Sequence, residues 1–279
     1  MTCWHDLGIN CLAQFLFWLF AGILVLLYTR LTNVRRFRQF FGLYKDSNIV
    51  IYLSNMKLKG ASDLQIDPKD RGVSLEELRA VQSIYSLFGR TPLRVPELVR
   101  GLVDGYFIPG PTKVATEPSP ITADDLRFTN MIVIGSARHN SVREHYLTQS
   151  TLPYLALEPK ESDYIAQGAS SRRGVRVLQG NRKGDLVEEN YNFAIVEKIC
   201  GGDKGTVVFM CVGERGDSSW GAAEYLVRNW GRLSKRKCKS KSGRFGTSSF
   251  ALCLGFPKRD MQVYEEPVIL AEFPTPASE

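Results

Sequence analysis

Residues 206–226 read TVVFMCVGERGDSSWGAAEYL. Thr206 to Val212 is an apolar, β-branched run of strand length. It passes directly into Gly213-Glu-Arg-Gly216-Asp-Ser-Ser, and a helical pattern follows from about Trp220 to Leu233. Strand, small-residue turn and helix, in that order, form the repeating unit of an α/β sheet. Ser218 or Ser219 is the natural N-cap for the helix.

The neighbouring stretches extend that unit. Tyr191–Ile199 is a second apolar run, joined to the first through Cys200-Gly-Gly-Asp-Lys-Gly, a hairpin turn. Upstream, Asn130–Ile134 (NMIVI) leads into Gly135-Ser136-Ala137-Arg138-His139-Asn140 and a helix over about 141–149. Asn48–Ser54 (NIVIYLS) reads as a buried strand. Ser74 and Glu77 form a capping box for a helix whose apolar stripe is Leu75, Leu78, Ala80, Val81, Ile84, Tyr85 and Phe88, with Gly89 as its stop. A short helix over 96–103 and strands at 152–157, 175–178, 249–256 and 261–273 complete the pattern. The Pro-rich stretch Ile108–Pro120 reads as a loop, dividing two subdomains or covering a site. Strands and helices alternate, and the C-terminal hairpins add antiparallel strands. The expected fold is therefore α/β: a three-layer, Rossmann-like domain over 46–279, with a mixed sheet covered by helices on both faces.

Before that domain lies Ile9–Tyr28, INCLAQFLFWLFAGILVLLY, about twenty residues that are apolar on every side. Met1–Gly8 has no Lys or Arg and no small-residue cleavage step follows Tyr28, which argues against a signal peptide. Arg30, Arg35, Arg36 and Arg38 come immediately after it. Positive charge at that end predicts a single-pass membrane protein with its N-terminus outside and its C-terminal domain in the cytoplasm. Arginines alternate with phenylalanines in Val34–Tyr44, VRRFRQFFGLY, as in a helix lying in the membrane interface or in a solvated continuation of the anchor. Residues 1–45 are expected to form this anchor and basic juxtamembrane helix.

The 279 residues carry a net charge of +7, concentrated in the juxtamembrane cluster and in Arg228–Arg244. That second run suits anionic lipid, a phosphorylated ligand or plain solvation. It has no aromatic residue between Lys235 and Lys241, so stacking on single-stranded nucleic acid is not indicated. The six cysteines are widely spaced, without C-x-x-C, and His139 and His145 lie six residues apart, so no metal site or cofactor is expected. Scattered thiols fit a reducing compartment.

Two turns could hold a ligand. Gly135 lets the backbone approach an anion at a helix start, Ser136 keeps the turn small, Arg138 can pair with phosphate, and Asn140 can cap the helix or hold a ribose or base. Gly213, Gly216, Ser218 and Ser219 form a second small-residue turn, in which the glycines serve a ligand or only the turn. Both follow strands, where ligands bind in open α/β sheets. Ser54, at the end of the first strand, is a third member. No Walker loop, G-x-G-x-x-G or G-x-S-x-G is present, and Glu76, Glu77, Glu214 and Asp217 form no evident catalytic pair. This pattern disfavours an enzyme.

The strand NIVIYLS, the helix at Ser74-Leu-Glu-Glu-Leu, the turn IVIGSARHN and the pair YNFAIVEKI with VVFMCVGERGDSSWGAAEYL together resemble bacterial SLOG-type (LOG–Smf/DprA) nucleotide-sensor domains, found beside TIR, Sir2 or membrane-spanning modules in defence operons. The resemblance covers about Asn48–Leu226. It implies a nucleotide-like small-molecule ligand, homo-oligomerisation and a membrane effector acting by clustering. Some relatives are nucleosidases, which makes an anchored nucleosidase or phosphoribosyl hydrolase using Glu214 the alternative. A lipid-binding scaffold with an empty cleft is the third reading.

Overall fold

The computed structural model describes residues 2–43, 49–53, 56–57, 71–89, 113–116, 129–135, 155–158, 174–177, 184–186, 191–201, 206–236, 248–257 and 266–273. Its centre is a seven-stranded sheet. The strands, in chain order, are β1 (Ile49–Leu53), β4 (Lys113–Thr116), β5 (Asn130–Ile134), β9 (Tyr191–Gly201), β10 (Thr206–Gly213), β11 (Phe250–Pro257) and β12 (Val268–Phe273). Their spatial order is β12-β11-β9-β10-β5-β1-β4. From β4 to β10 the neighbours are parallel; from β10 to β12 they are antiparallel. Two short ribbons are hydrogen-bonded separately from that sheet: β2 (Met56–Lys57) with β3 (Arg71–Gly72), and β6 (Leu155–Glu158), β7 (Gly174–Val177) and β8 (Gly184–Leu186). The chain is thus a mixed α/β protein with a long apolar N-terminal helix. The helices expected at 96–103 and 141–149 lie outside the described residues.

Three helices are described: α1 (Thr2–Phe41), α2 (Leu75–Gly89) and α3 (Gly216–Lys235). All three share one core with one face of the sheet. Ile51, Leu53, Ile132, Ile134, Phe209, Cys211, Leu252 and Leu254 supply the sheet side; Phe40, Ile84, Phe88, Ala222 and Leu226 supply the helix side. Residues on a strand alternate between faces, so Tyr52, Met131, Val133, Val208, Met210 and Val212 form a separate buried cluster on the other face. No described helix packs there.

Three expectations change. First, the anchor and the Arg-Phe stretch are one continuous helix of 40 residues, about 60 Å long. Its last turns are packed against the domain on one face, with Asn33, Arg35 and Gln39 exposed on the other. Val34, Phe37, Phe40, Phe41 and Leu43 are buried in the domain core, with Phe40 fully enclosed. Phe37 stacks edge-on to Phe88 and Trp230, and Phe40 and Phe41 meet Phe209. The spacing of Val34, Phe37 and Phe41 puts them on one helical face, whereas Arg35 is exposed. Second, Lys113–Thr116, read as loop, is the edge strand β4, parallel to β1. Prolines on both sides hide it, and an edge is where a sheet tolerates them. Third, the apolar stripe of α2 is split. Ala80, Ile84, Leu87 and Phe88 face the core, but Leu75, Leu78 and Tyr85 are 58%, 50% and 40% exposed.

The junction between α1 and the sheet is closely tied. Gly42 has φ +69, the left-handed conformation that ends a helix. Leu43 N–H reaches back to the Arg38 carbonyl at 2.7 Å, and Arg38 Nε donates to the Leu43 carbonyl at 3.0 Å. Buried Asn130 at the start of β5 donates through Nδ2 to the Gly42 carbonyl and accepts through Oδ1 from Val207 N–H, each at 2.8 Å. One side chain therefore joins the end of α1, β5 and β10.

At the opposite margin, Arg236 just beyond α3 pairs with Glu272 of β12 at 2.6 Å. Glu272 is 8% exposed and its Oε1 has no hydrogen-bond partner. Desolvation holds its pKa above the ordinary 4.5, while Arg236 pulls it down. An acid with a raised folded-state pKa favours the fold when protonated, and that contribution is lost as pH rises through the raised value. Removing Arg236 raises the pKa further. Arg236→Met is therefore expected to cost about 1–3 kcal/mol at pH 7 and much less below pH 4.5. Thermal melts across that range check it. An equal loss at both pH values would show that the charge of Glu272 is not the cause.

Candidate functional site

The carboxyl ends of β1, β5 and β10 all lie at one edge of the sheet, because these strands are parallel neighbours. The chain leaves β1 for β4 on one side and returns to β5 on the other. β1 and β5 therefore flank the point where the strand order reverses, the place in an open α/β sheet that leaves a crevice. Gly135 follows β5 there, with φ +118, which side-chain-bearing residues rarely adopt. Its N–H donates to the Cys211 carbonyl at 3.3 Å. Ser54, Ser136, Arg138 and Asn140 lie outside the described residues.

The turn after β10 is dense. A Cβ on Gly213 would stand 2.4 Å from both Ser218 Cβ and Ser219 N, so this glycine lets α3 close on the strand. Gly213 N–H donates to Ser219 Oγ at 2.9 Å, and Ser219 Oγ donates to the Arg215 carbonyl at 3.2 Å. Ser218 and Ser219 are buried, and Ser218 N–H is held by Asp217 Oδ1 at 2.8 Å. Neither serine is the N-cap. Arg215 occupies that position in extended conformation and gives no side-chain cap. At the start of α3 the Ser218 N–H is taken by Asp217 and the Ser219 N–H by the Arg215 carbonyl, so the positive end of this 20-residue helix already faces a carboxylate.

α2 begins at the same edge. Ser74 Oγ accepts from Glu77 N–H at 3.1 Å, the cap expected from the sequence. A Cβ on Gly216 would lie 3.1 Å from Ser74 Oγ and 3.2 Å from Glu76 Oε2. Two helix starts therefore meet beside the turn, and Gly216 permits their approach. The Glu76 carboxylate at this meeting point was not singled out by its spacing in the sequence. Glu214 is placed differently: its Oε2 accepts from Phe193 N–H at 3.2 Å and its own N–H donates to the Phe193 carbonyl at 3.1 Å. That carboxylate fastens β9 to the turn.

The thiol below the edge is unreactive by environment. Cys211 is fully buried, and burial pushes its pKa up to about 12. It serves as a small core residue. The basic stretch divides as well: Arg228, Arg232 and Lys235 belong to α3, and 237–244 lie outside the described residues.

The chain matches no protein-family model, no curated protein and no solved structure.

Proposed function

We propose that this chain is a membrane-tethered sensor: α1 crosses the bilayer once, N-terminus outside, and a cytoplasmic Rossmann-like domain binds a nucleotide-derived ligand and oligomerises, as in bacterial defence signalling. Within Gln14–Phe41, an 18-residue stretch with a mean hydropathy of 1.8 makes the helix long and apolar enough to span a membrane. The three-layer arrangement belongs to this proposal, with the second helix layer over the Tyr52–Met131–Val133 face. The observation that carries the ligand reading is the reversal of strand order between β1 and β5, with Gly135 at its lip. The start of α3 lies one strand away at the same edge.

The ligand edge lies far from the anchor. α1 meets the sheet at Asn130 and Val207, where β5 and β10 begin. Gly213 lies about 20 Å further along β10 at 3.3 Å per residue. A ligand would thus act on the membrane helix through the sheet or through assembly.

The test uses the full chain in phosphatidylcholine nanodiscs, screened against nucleotides and cyclic nucleotides by thermal shift. A ligand at a hundred times its Kd stabilises by about 2.7 kcal/mol, a shift of several degrees. Arg138→Ala and Asn140→Ala are expected to abolish it without lowering the unliganded midpoint. No shift with any nucleotide would defeat the sensor. Release of a free base in the same samples would favour the nucleosidase, for which Glu76 at the helix meeting point is the available carboxylate.

A further inference from the structure

We propose that the outer face of the α2–α3 layer is a lipid-docking surface, laid against anionic phospholipid headgroups. The proposal rests on the reading of α1 as a membrane span. Three observations converge on it. The first is the path of α1. Phe40 and Phe41 touch Phe209 of the sheet, but Phe37, one turn earlier, touches Phe88 of α2 and Trp230 of α3. Followed back toward its N-terminus, the helix climbs from the sheet into the helix layer. From Phe41 to Tyr28 is about 20 Å at 1.5 Å per residue, and a helix layer is about 10–12 Å thick. The bare apolar stretch, Phe15 to Tyr28, therefore begins within a side chain's length of the layer's outer surface. Only Thr29–Asn33 separates it from buried Val34.

The second observation is α3. Arg228, Arg232 and Lys235 fall on one stripe, opposite the core residues Leu226 and Leu233. Arg228 and Arg232 are 48% and 57% exposed, and their ion pairs with Glu224 and Glu266 leave the stripe open to solvent. The third is α2, whose Leu75, Leu78 and Tyr85 stand on its outward side without core partners. Exposed leucines with a tyrosine, beside a row of cations, match a surface that enters the headgroup layer with its apolar side chains and binds phosphate with its basic ones. Arg30 and Arg35, exposed on α1 at the same level, extend the charge around the helix.

The experiment compares the full chain in phosphatidylcholine nanodiscs with the chain in discs holding about 30% phosphatidylserine, a composition that imposes a negative surface potential. A water-soluble amine reagent is applied, and labelling of Lys235 is read by peptide mass spectrometry. Docking predicts labelling lower by about fivefold or more in the anionic discs, restored at about 0.5 M salt. Arg232→Glu is expected to remove the difference while Lys235 remains to report. Equal labelling in both discs, with the protein inserted, would overturn the proposal. Protection that follows two copies per disc and ignores phosphatidylserine would overturn it in favour of self-association. Failure to insert into either disc would overturn the membrane reading itself, a result distinct from equal labelling of an inserted chain.

Discussion

A chain starting at residue 46 is expected not to fold, whereas one starting at Arg30 keeps a cooperative, native core. The boundary suggested by hydropathy falls after the basic cluster, but the packing boundary falls before it. Cutting at 46 removes Val34, Phe37, Phe40, Phe41 and Leu43, all buried. Truncating a single buried Phe costs about 3–5 kcal/mol, and a whole domain is stable by only about 5–15 kcal/mol. Losing three buried phenylalanines together exceeds what the remaining core can absorb. Lys198, fully buried in β9 with its ammonium 4.9 Å from the Phe40 ring centre and 5.9 Å from that of Phe209, would lose the nearer of these two aromatic contacts. Near-UV circular dichroism and a thermal melt of the two truncations decide the matter. A sharp transition in the 46–279 fragment would show that α1 is an accessory and not part of the core.

The same turns show what the sequence discloses and what it conceals. TVVFMCVGERGDSSWGAAEYL was legible as strand, turn and helix because apolar period, turn residues and helix pattern all agree, and β10 forms where expected; α3 starts at Gly216, ahead of the expected Trp220, so Ser218 and Ser219 lie inside the helix and not at its cap. VRRFRQFF was not, because its arginines and phenylalanines alternate too closely for composition to separate them. Only spacing does so: Phe37, Phe40 and Phe41 share a face that Arg35 does not. β4 was concealed by flanking prolines, and with it the reversal of strand order between β1 and β5. The candidate turns could be found singly, since each follows a strand, but their common edge required knowing that β1, β5 and β10 are parallel neighbours. The splitting of the α2 stripe has another cause. Seven apolar positions were compatible with one helical face, yet a 15-residue helix in a single layer buries only the side toward the sheet and its neighbours.

Asn130→Ala is expected to be the most damaging single polar substitution among the described residues. The side chain satisfies two buried backbone groups at once, the Gly42 carbonyl and the Val207 N–H. Each buried group left without a partner costs about 1–3 kcal/mol, so the pair amounts to about 2–6 kcal/mol. For a domain of this size that lowers the midpoint by roughly 5–20 °C. The effect should also be local in a diagnostic way. Val207 N–H should exchange with solvent faster, and α1 should loosen from the sheet while the β9–β10 pairing persists. Hydrogen exchange of the Val207 amide, set against that of Met210 in the middle of the same strand, distinguishes this from general destabilisation. A uniform rise along β10 would mean that Asn130 merely contributes stability. A rise confined to its first residues would identify it as the link that makes α1 and the sheet behave as one body. On that link depends whether, in the proposed sensor, an event at the far edge around Gly135 and Gly213 can reach α1 at all.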